Sequence, residues 1–125
     1  MRQFEVVIEN RVGVLADVCE VLAHARVNIK AISTELRDGI GIIKVVTDDD
    51  AVTRTALISA QLDFSEYEIV PVRLMDKPGE LARLARGLSN LGIDVESVFM
   101  TNRDAGTAEI AFKVSNLDEA KKLLK

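Results

Sequence analysis

The feature that most constrains the fold is a strand-to-helix corner that occurs twice. Residues 9–15 read ENRVGVL and residues 75–81 read MDKPGEL, so that Gly13 and Gly79 lie 66 residues apart. Each corner follows a run in which apolar residues alternate, as in a strand, and precedes a run with the apolar spacing of an amphipathic helix. A chain with two such corners is predicted to repeat one folding unit.

The apolar register on both sides of the corners supports this duplication. A shift of 66 residues superposes the apolar positions of the two helical runs, which recur at i, i+3, i+4 and i+7 on one helix face: Leu15, Val18, Cys19 and Leu22 on Leu81, Leu84, Ala85 and Leu88. Strand positions superpose as well: Val6, Ile8, Val27 and Ile29 on Val72, Leu74, Ile93 and Val95. Because few identities survive the shift, the duplication is inferred from register alone.

The order of the predicted elements indicates the fold class. In the first unit we expect strands at about 3–9, 27–36, 40–47 and 66–70 and helices at 13–25 and 51–62, with a two-residue hairpin at Asp38-Gly39. This order predicts an α+β fold, the ferredoxin-like βαββαβ arrangement, in which both helices cover one face of an antiparallel sheet. We expect two such units packed side by side, at residues 1–70 and 71–125, with Pro71 at the break between them.

The second unit is expected to be shorter than the first. Residues 107–114 alternate between apolar and polar, and Asn116 is placed to cap a helix that begins at Leu117. The sequence ends at Lys125, directly after this helix, so we expect this unit to lack its last strand. Residues 72–75 would then form an open sheet edge, and open edges recruit other strands. We therefore expect a homo-oligomer.

The composition excludes several classes of partner. The net charge is −4, the pI is about 5.0 and aromatic residues make up 4% of the chain, whereas nucleic-acid-binding surfaces are basic and RNA-binding strands carry exposed aromatic residues. No apolar run approaches the roughly 18 residues of a membrane span. The N-terminus does not resemble a signal peptide, and the lone Cys19 cannot form an internal disulfide. We expect a cytoplasmic protein that contacts neither nucleic acid nor membrane.

Catalytic, cofactor and metal sites are not predicted. The single histidine, His24, lies near the end of the first helix, and Cys19 lies on its apolar face, where a cysteine is usually inert. The run Asp48-Asp49-Asp50 is compatible with a cation site, but it precedes the second helix, where acids serve as N-caps and favour the helix dipole. We favour the capping role, and we expect no enzymatic activity.

The corners themselves carry the functional signal. Glycine at a strand-to-helix turn lets a ligand approach the backbone closely, and the unpaired N–H groups of the first helical turn can hold a carboxylate. Asn10 ends the first strand and Asn28 opens the second, and each amide can donate and accept hydrogen bonds. The structural alternative is that Asn10 forms an Asx-turn and Asn28 ends a helix. Because the two positions lie far apart in one unit, a pocket that uses both indicates a site between units.

These corner residues resemble the ACT domain, a small-molecule-sensing module. The resemblance rests on Asn10 to Leu15 with Val27-Asn28-Ile29, and on Asp76-Lys77-Pro78-Gly79-Glu80-Leu81 with Gly92-Ile93-Asp94-Val95. The first unit is most similar to the serine-sensing domain of phosphoglycerate dehydrogenase, in which asparagines at the positions of Asn10 and Asn28 hold the amino acid. That domain has a histidine where this chain has Ile8, so the resemblance does not extend to serine itself, and Val12 replaces the usual proline.

The resemblance implies paired units that form one continuous sheet, with amino-acid sites between them. The first implied site comprises Asn10, Arg11, Val12, Gly13, Val14, Leu15, Asn28 and Ile29. A second candidate site comprises Asp76, Lys77, Pro78, Gly79, Glu80, Leu81, Asp94 and Val95. Because no catalytic domain accompanies the pair, the resemblance indicates a non-catalytic amino-acid sensor of amino-acid metabolism. The alternative is a regulatory subunit that docks on a biosynthetic enzyme, since the chain also resembles the small regulatory subunit of acetohydroxyacid synthase.

The two candidate sites are expected to differ in ligand preference. Asn10 and Asn28 are neutral, and each can bond to either end of a zwitterion. Their counterparts Asp76 and Asp94 can only accept hydrogen bonds when they are ionised, and two carboxylates would weaken the attraction of a helix N-terminus for a carboxylate ligand. We therefore expect the site of the first corner to dominate amino-acid binding.

Overall fold

The computed structural model describes residues 1–124, which separate into two compact units. The first unit comprises Arg2–Tyr67, and the second comprises Met1 together with Glu68–Lys125. The elements of the first unit are, in order, β1 (Arg2–Glu9), α1 (Val14–His24), β2 (Ile29–Arg37), β3 (Ile40–Thr47), α2 (Asp50–Ser59) and β4 (Asp63–Glu68). Those of the second unit are β5 (Val70–Met75), α3 (Glu80–Asn90), β6 (Val95–Asp104), β7 (Thr107–Val114) and α4 (Leu117–Leu123).

The strand order confirms the predicted fold class. The first sheet has the strand order β2-β3-β1-β4, and the second has the order β5-β7-β6. β3 is antiparallel to β1 and β2, and β7 is antiparallel to β5 and β6. Under the 66-residue shift β5, β6 and β7 correspond to β1, β2 and β3, so the second sheet repeats the first without a fourth strand among the described residues. Both units are ferredoxin-like.

Short local signals confirm several of the predicted turns and caps. Asp38 (φ 50°) and Gly39 (φ 80°) join β2 to β3, and Ala105 (φ 47°) and Gly106 (φ 84°) join β6 to β7. Positive φ at both central residues is the property of a type I′ turn, which matches the twist of the flanking strands. Asn116 caps α4 by accepting a hydrogen bond from the Glu119 N–H at 3.1 Å.

Each unit buries an aliphatic core between its sheet and its helices. The predicted helix faces are confirmed at their centres, since the side chains of Val18, Leu22, Leu84 and Leu88 are buried. The first residue of each face, Leu15 or Leu81, stays exposed because it lies in the first helical turn, at the corner. The cores consist of two groups of residues: Phe4, Val6, Val18, Leu22, Ile43, Val45 and Leu57; and Leu74, Leu84, Leu88, Ile93, Ala108, Ile110, Phe112 and Ala120.

Two of the sequence-based expectations about the middle of the chain are wrong. The fourth strand spans Asp63–Glu68 rather than 66–70, because α2 ends at Ser59 and Gln61 adopts a left-handed conformation (φ 58°) that redirects the chain. Pro71 does not mark a break: the two units divide between Tyr67 and Glu68, and Pro71 lies within β5, opposite Ala111.

The position of Pro71 has a simple explanation in the hydrogen-bond phase of β5. Alternate residues of an antiparallel edge strand direct their N–H groups away from the partner strand. Asp76 donates to the Gly106 carbonyl at 2.8 Å, whereas Ile69, in the opposite phase, donates to the Met1 carbonyl at 3.0 Å. Pro71 shares the phase of Ile69, so its missing N–H removes no bond to β7.

Candidate functional site

The two corners have the same backbone geometry. Gly13 (φ 92°, ψ −7°) and Gly79 (φ 90°, ψ −16°) are both left-handed N-caps, and neither helix start has a side-chain cap. Equivalent bonds close both turns: the Val14 N–H donates to the Arg11 carbonyl at 3.3 Å, and the Glu80 N–H donates to the Lys77 carbonyl at 3.4 Å. The repeat seen in the sequence is therefore a repeated backbone conformation, which requires glycine because of its positive φ.

The first corner leaves the side chain of Asn10 available. Asn10 directly follows β1 and is exposed, and no hydrogen bond of its side chain is found within residues 1–124. Arg11 turns back to α1 instead, where its Nη2 lies 2.7 Å from Asp17 Oδ2. On the neighbouring strand, Gly41 keeps the backbones close: a Cβ there would lie 3.2 Å from the Ile8 carbonyl oxygen and 4.0 Å from Asn10 Cα.

The main chain of Asn28 is hydrogen-bonded, and no hydrogen bond of its side chain is found within residues 1–124. Its N–H donates to Asp48 Oδ1 at 3.0 Å, and its carbonyl accepts from the Asp48 N–H at 3.1 Å. The second unit has the same pair of bonds between Asp94 and Ser115, both at 2.9 Å. The start of the second strand is thus fixed in the same way in both units, and residue 28 or 94 presents its side chain to solvent.

Two of the three aspartates in the run at the start of α2 bond to the main chain. Asp48 accepts from the Asn28 N–H, and Asp49 is the N-cap of α2, accepting from the Val52 N–H at 3.0 Å. This confirms the capping role that the sequence favoured. Among residues 1–124 no group of three or more His, Cys, Asp or Glu side chains is arranged to hold a metal ion.

The first unit does not bring Asn10 and Asn28 together. Asn10 follows Glu9, which is paired with Ile40, and Asn28 precedes Ile29, which is paired with Thr47. Ile40 and Thr47 are the two ends of β3, and seven residue steps of about 3.4 Å separate them by about 24 Å. The remaining residues of the first candidate site divide between the two ends: Arg11, Val12, Gly13, Val14 and Leu15 with Asn10, and Ile29 with Asn28.

The acidic side chains of the second corner form ion pairs with neighbouring basic side chains. Asp76 Oδ2 lies 2.8 Å from Arg103 Nε, so its carboxylate is already engaged. Glu80, largely buried, lies 2.9 Å from Arg83 Nη2 and 3.8 Å from Lys77 Nζ. Pro78 and Gly79 are exposed at the tip of the turn, Leu81 begins the helix face, and Asp94 and Val95 lie at the start of β6, the far end of the unit.

Sequence reasoning missed Arg103 and Ser115 as partners of the candidate site residues. The 66-residue shift places Arg103 on Arg37, which bonds to Glu35 at 3.0 Å in the first unit. The two arginines differ in strand phase, because Arg37 pairs with Ile40, the first residue of β3, whereas Arg103 pairs with Ala108, the second residue of β7. The shift therefore located the arginine at the hairpin end of the edge strand but not its partner. Ser115 follows β7 as Asp48 follows β3, displaced by one residue, because β6 contains irregularities in its pairing with β7.

His24 and Cys19 lie where the sequence placed them. His24 is the last residue of α1 and is exposed, and no hydrogen bond of its imidazole is found within the described chain. Cys19 is a partly buried free thiol on α1. No helix among the described residues is long and apolar enough to cross a membrane.

Comparisons with known proteins agree with the fold and with its family resemblance. Residues 4–63 match the family model of the AHAS small subunit-like ACT domain. Among solved structures, protein BT0572 from Bacteroides thetaiotaomicron has a TM-score of 0.89 at 25% identity, with 98% of this chain and 85% of that chain covered. No curated protein sequence matches the chain.

Two further solved structures share the fold at lower identity. The regulatory subunit of aspartate kinase from Thermus thermophilus has a TM-score of 0.71 at 14% identity and covers 98% of this chain and 87% of its own. That from Thermus flavus has a TM-score of 0.63 at 17% identity, with the same coverage of both chains. The fold is therefore shared along nearly the whole chain, whereas the match to the ACT family model is confined to residues 4–63, within the first unit.

Proposed function

We propose that the protein is a non-catalytic regulatory protein that binds a free amino acid at its first corner. The observation that carries the proposal is the unengaged amide of Asn10 beside the glycine turn at the start of α1. The first N–H groups of a helix lack intrahelical acceptors and attract a carboxylate. An amide that both donates and accepts can bind either the carboxylate or the ammonium group of a zwitterion.

A single ligand that contacts both Asn10 and Asn28 requires two copies of the first unit. The two residues lie at opposite ends of β3, about 24 Å apart by strand geometry. In a two-fold homodimer, Asn10 of one copy and Asn28 of the other can face each other twice, which gives two equivalent sites. The exposed edge strand β2 supports this assembly, because its side chains Ile32 and Leu36 are 41% and 62% exposed and open strand edges pair readily.

Docking on a biosynthetic enzyme is the second candidate function. It is favoured by the family match of residues 4–63 to the AHAS small subunit-like ACT domain. A sensor and a docking subunit use the same ligand site and differ in whether the ligand signal is passed to a bound enzyme. Purification of the protein from its native cell separates the two: a co-eluting enzyme supports docking, and the protein eluting without any partner supports the free-standing sensor.

A thermal-shift screen of the twenty amino acids tests the binding function. A ligand present at about 100 times its Kd stabilises the folded state by roughly 2.7 kcal/mol. We expect at least one amino acid to raise the melting temperature, and we expect Asn10→Ala to remove that rise. The matched control is Asn102→Ala, an exposed asparagine on β6, which should leave the rise intact. Absence of any shift at millimolar concentration contradicts the proposal.

A further inference from the structure

The outer side of the helices of the first unit carries an apolar groove between the end of α1 and the first half of α2. The groove has a volume of about 320 Å³ and is lined by five residues: Ala25, Ala51, Val52, Thr55 and Ala56. Val52 is 38% exposed, and Ala51 and Thr55 are exposed as well. Because these side chains are all short, the groove is open enough to receive a side chain from another molecule.

The exposed face of α2 beside this groove is uncharged. After Asp50, the helix contains a single charged residue, Arg54. Its guanidinium group bonds to Glu66 at 2.7 and 2.6 Å and does not line the groove. Ile58, which is 61% exposed, lies three residues after Thr55 and extends the same helix face. The exposed face of a surface helix is normally polar or charged, so an apolar one indicates an interaction surface.

The corresponding surface of the second unit is built from bulkier and charged residues. Asn116 caps α4 as Asp49 caps α2. With the two caps aligned, the four groove positions of α2 correspond to these residues of α4: Asp118, Glu119, Lys122 and Leu123. Leu91 replaces Ala25 under the 66-residue shift, and a Cβ on Gly87 of α3 would lie 3.2 Å from Leu123 Cδ2. The groove is therefore a property of the sequence of the first unit and not a requirement of the repeated fold.

The end of the groove at the start of α2 is acidic. Asp48, Asp49 and Asp50 directly precede the groove residue Ala51. Asp48 and Asp49 accept hydrogen bonds from main-chain N–H groups, which are neutral and leave the carboxylate charges in place. Arg26, which follows α1, offsets only part of this charge, and the first unit holds the acidic excess that gives the chain its net charge of −4. A partner with basic groups is therefore complementary to this end of the groove.

We propose that the groove docks an amphipathic helix of a partner protein, one with an aliphatic face and basic residues at one end. The aliphatic side chains enter the groove between α1 and α2, and lysine or arginine side chains contact the aspartates at residues 48–50. A small molecule is a poorer match, because pockets for small ligands use several polar groups to fix orientation, and Thr55 carries the only polar side-chain group among the lining residues. The proposal goes beyond amino-acid binding and does not depend on it.

A designed peptide probes the groove directly. The probe is a fluorescently labelled peptide of about 18 residues, because shorter isolated helices are unstable in water. It has leucines spaced i, i+3, i+4 and i+7 on one face and lysines elsewhere. Fluorescence anisotropy should show saturable binding of this lysine peptide, and the same peptide with glutamate in place of lysine should bind about tenfold more weakly. In protein labelled with ¹³C at the valine and isoleucine methyl groups, the lysine peptide should shift the signals of Val52 and Ile58 and leave those of Val98 in place.

Two variants close the groove with the residue types that the second unit has at the equivalent positions. Ala25→Leu and Thr55→Lys should each weaken binding of the lysine peptide about tenfold. Their controls are Ala23→Leu on α1 and Thr34→Lys on β2, the same changes at exposed positions outside the groove, which should leave binding unchanged. Because Thr55 is exposed, Thr55→Lys keeps the test valid even if Ala25→Leu impairs folding.

A charge variant tests the acidic end of the groove. Asp49→Asn removes one negative charge and keeps the N-cap of α2, since asparagine caps helices as well as aspartate does. It should weaken binding of the lysine peptide about threefold. Asp63→Asn, the same change at an exposed position of β4, should leave binding unchanged, and equal effects of the two variants contradict the charge complementarity.

The outcomes separate this proposal from the proposed function. The docking groove is overturned if the lysine peptide shows no saturable binding, if the glutamate peptide binds equally well, or if Thr55→Lys and Thr34→Lys have equal affinities. Self-association of the protein that Ala25→Leu abolishes assigns the groove to a second copy of this chain and overturns it as well. Asn10→Ala should leave peptide binding unchanged, so a failure to detect any amino acid at the first corner leaves the docking groove standing.

Discussion

At the first corner the strand is followed by Asn10, and at the second corner it is followed by Asp76, although the glycine three residues later has nearly the same φ, 92° and 90°. Asn10 has no side-chain partner within the described residues, whereas Asp76 is paired with Arg103 at 2.8 Å. The two corners therefore share a backbone conformation but differ in the side chains that flank it. Under the proposed function, the glycine turn sets where a ligand approaches, and the flanking side chains set which ligand is accepted.

A second comparison concerns two buried positions that correspond under the 66-residue shift, one near the start of β1 and one directly before β5. Gln3 of the first unit and Ile69 of the second are equivalent under the 66-residue shift, and their side chains are 0% and 2% exposed. Both polar atoms of the Gln3 side chain lack hydrogen-bond partners among residues 1–124, whereas Ile69 has no such groups to satisfy. A buried amide without partners destabilises the folded state by about 1–3 kcal/mol.

The largest expected effect on stability follows from this difference. Gln3→Ile gives the first unit the residue type of the second, and we expect it to raise the free energy of unfolding by about 1–3 kcal/mol because it removes the unsatisfied amide. Chemical denaturation measures the change. Thr34→Ile, a polar-to-isoleucine change at an exposed position of β2, is the control for strand propensity and should have a smaller effect. A loss of stability in Gln3→Ile would show that Gln3 has an essential polar role.

The equivalence of the two glycine turns predicts equal costs of substitution. A Cβ at Gly13 or at Gly79 would meet no atom within 4 Å, so the cost of alanine arises from the positive φ alone. We expect Gly13→Ala and Gly79→Ala each to lower the free energy of unfolding by about 1–2 kcal/mol. Denaturant titrations of the two variants side by side test this. A cost at one corner that clearly exceeds the other would mean that the shared backbone geometry does not have a shared energetic basis.

The smallest expected effect concerns β4, which has no counterpart among the described strands of the second unit. Glu66 on β4 accepts two hydrogen bonds from Arg54, at 2.7 and 2.6 Å, and its Oε1 also lies 2.7 Å from Arg2 Nε. The hydrogen bonds from Arg54 lower the pKa of Glu66 below its ordinary value of 4.5, against the opposing effect of burial, with smaller contributions from the charges of Arg54 and Arg2. The same contact raises the pKa of Arg54.

The sign of the resulting pH dependence follows from the lowered pKa. The contribution of Glu66 to stability is present above about pH 4.5 and is lost as the pH falls through the lower pKa of the folded state. We expect Glu66→Gln to destabilise the protein at pH 7 and to have a smaller effect at an acidic pH, because Glu66 of the parent protein becomes protonated as the pH falls through its lowered pKa. Denaturation at the two pH values measures the difference. An effect of the same size at both values would contradict the assignment of the stabilisation to the ionised carboxylate.

The parts of the fold that sequence predicted are those set by local periodicity. The spacing of Val18 and Leu22 predicted a buried helix face, and Asp38-Gly39 predicted a hairpin, because each signal depends on neighbouring residues only. The bounds of β4 were missed because the turn that precedes it uses Gln61, not glycine, in a left-handed conformation. Pro71 was misplaced because its tolerance depends on the phase of an edge strand, which requires the sheet order.

The candidate site also has features that local sequence patterns predict and features that they do not. The glycine turns could be predicted, because a strand followed by glycine and an amphipathic helix is a local pattern. The pairing of Asp76 with Arg103 could not, since these residues meet only when β5 and β6 flank β7 in one sheet. A small cavity at the second corner could not be predicted either, since Met75, Met100 and Ala108, which line it, come from three different strands.

Titration calorimetry on three variants tests the central claim that the first corner binds the amino acid. The ligand is the amino acid that gives the largest thermal shift with the parent protein. We expect Asn10→Ala and Asn28→Ala each to weaken its binding by about 1–3 kcal/mol, the usual cost of a lost buried hydrogen-bond partner, and Asp76→Ala to weaken it much less. Intact affinity in Asn28→Ala together with lost affinity in Asp76→Ala would contradict the account and assign the dominant site to the second corner.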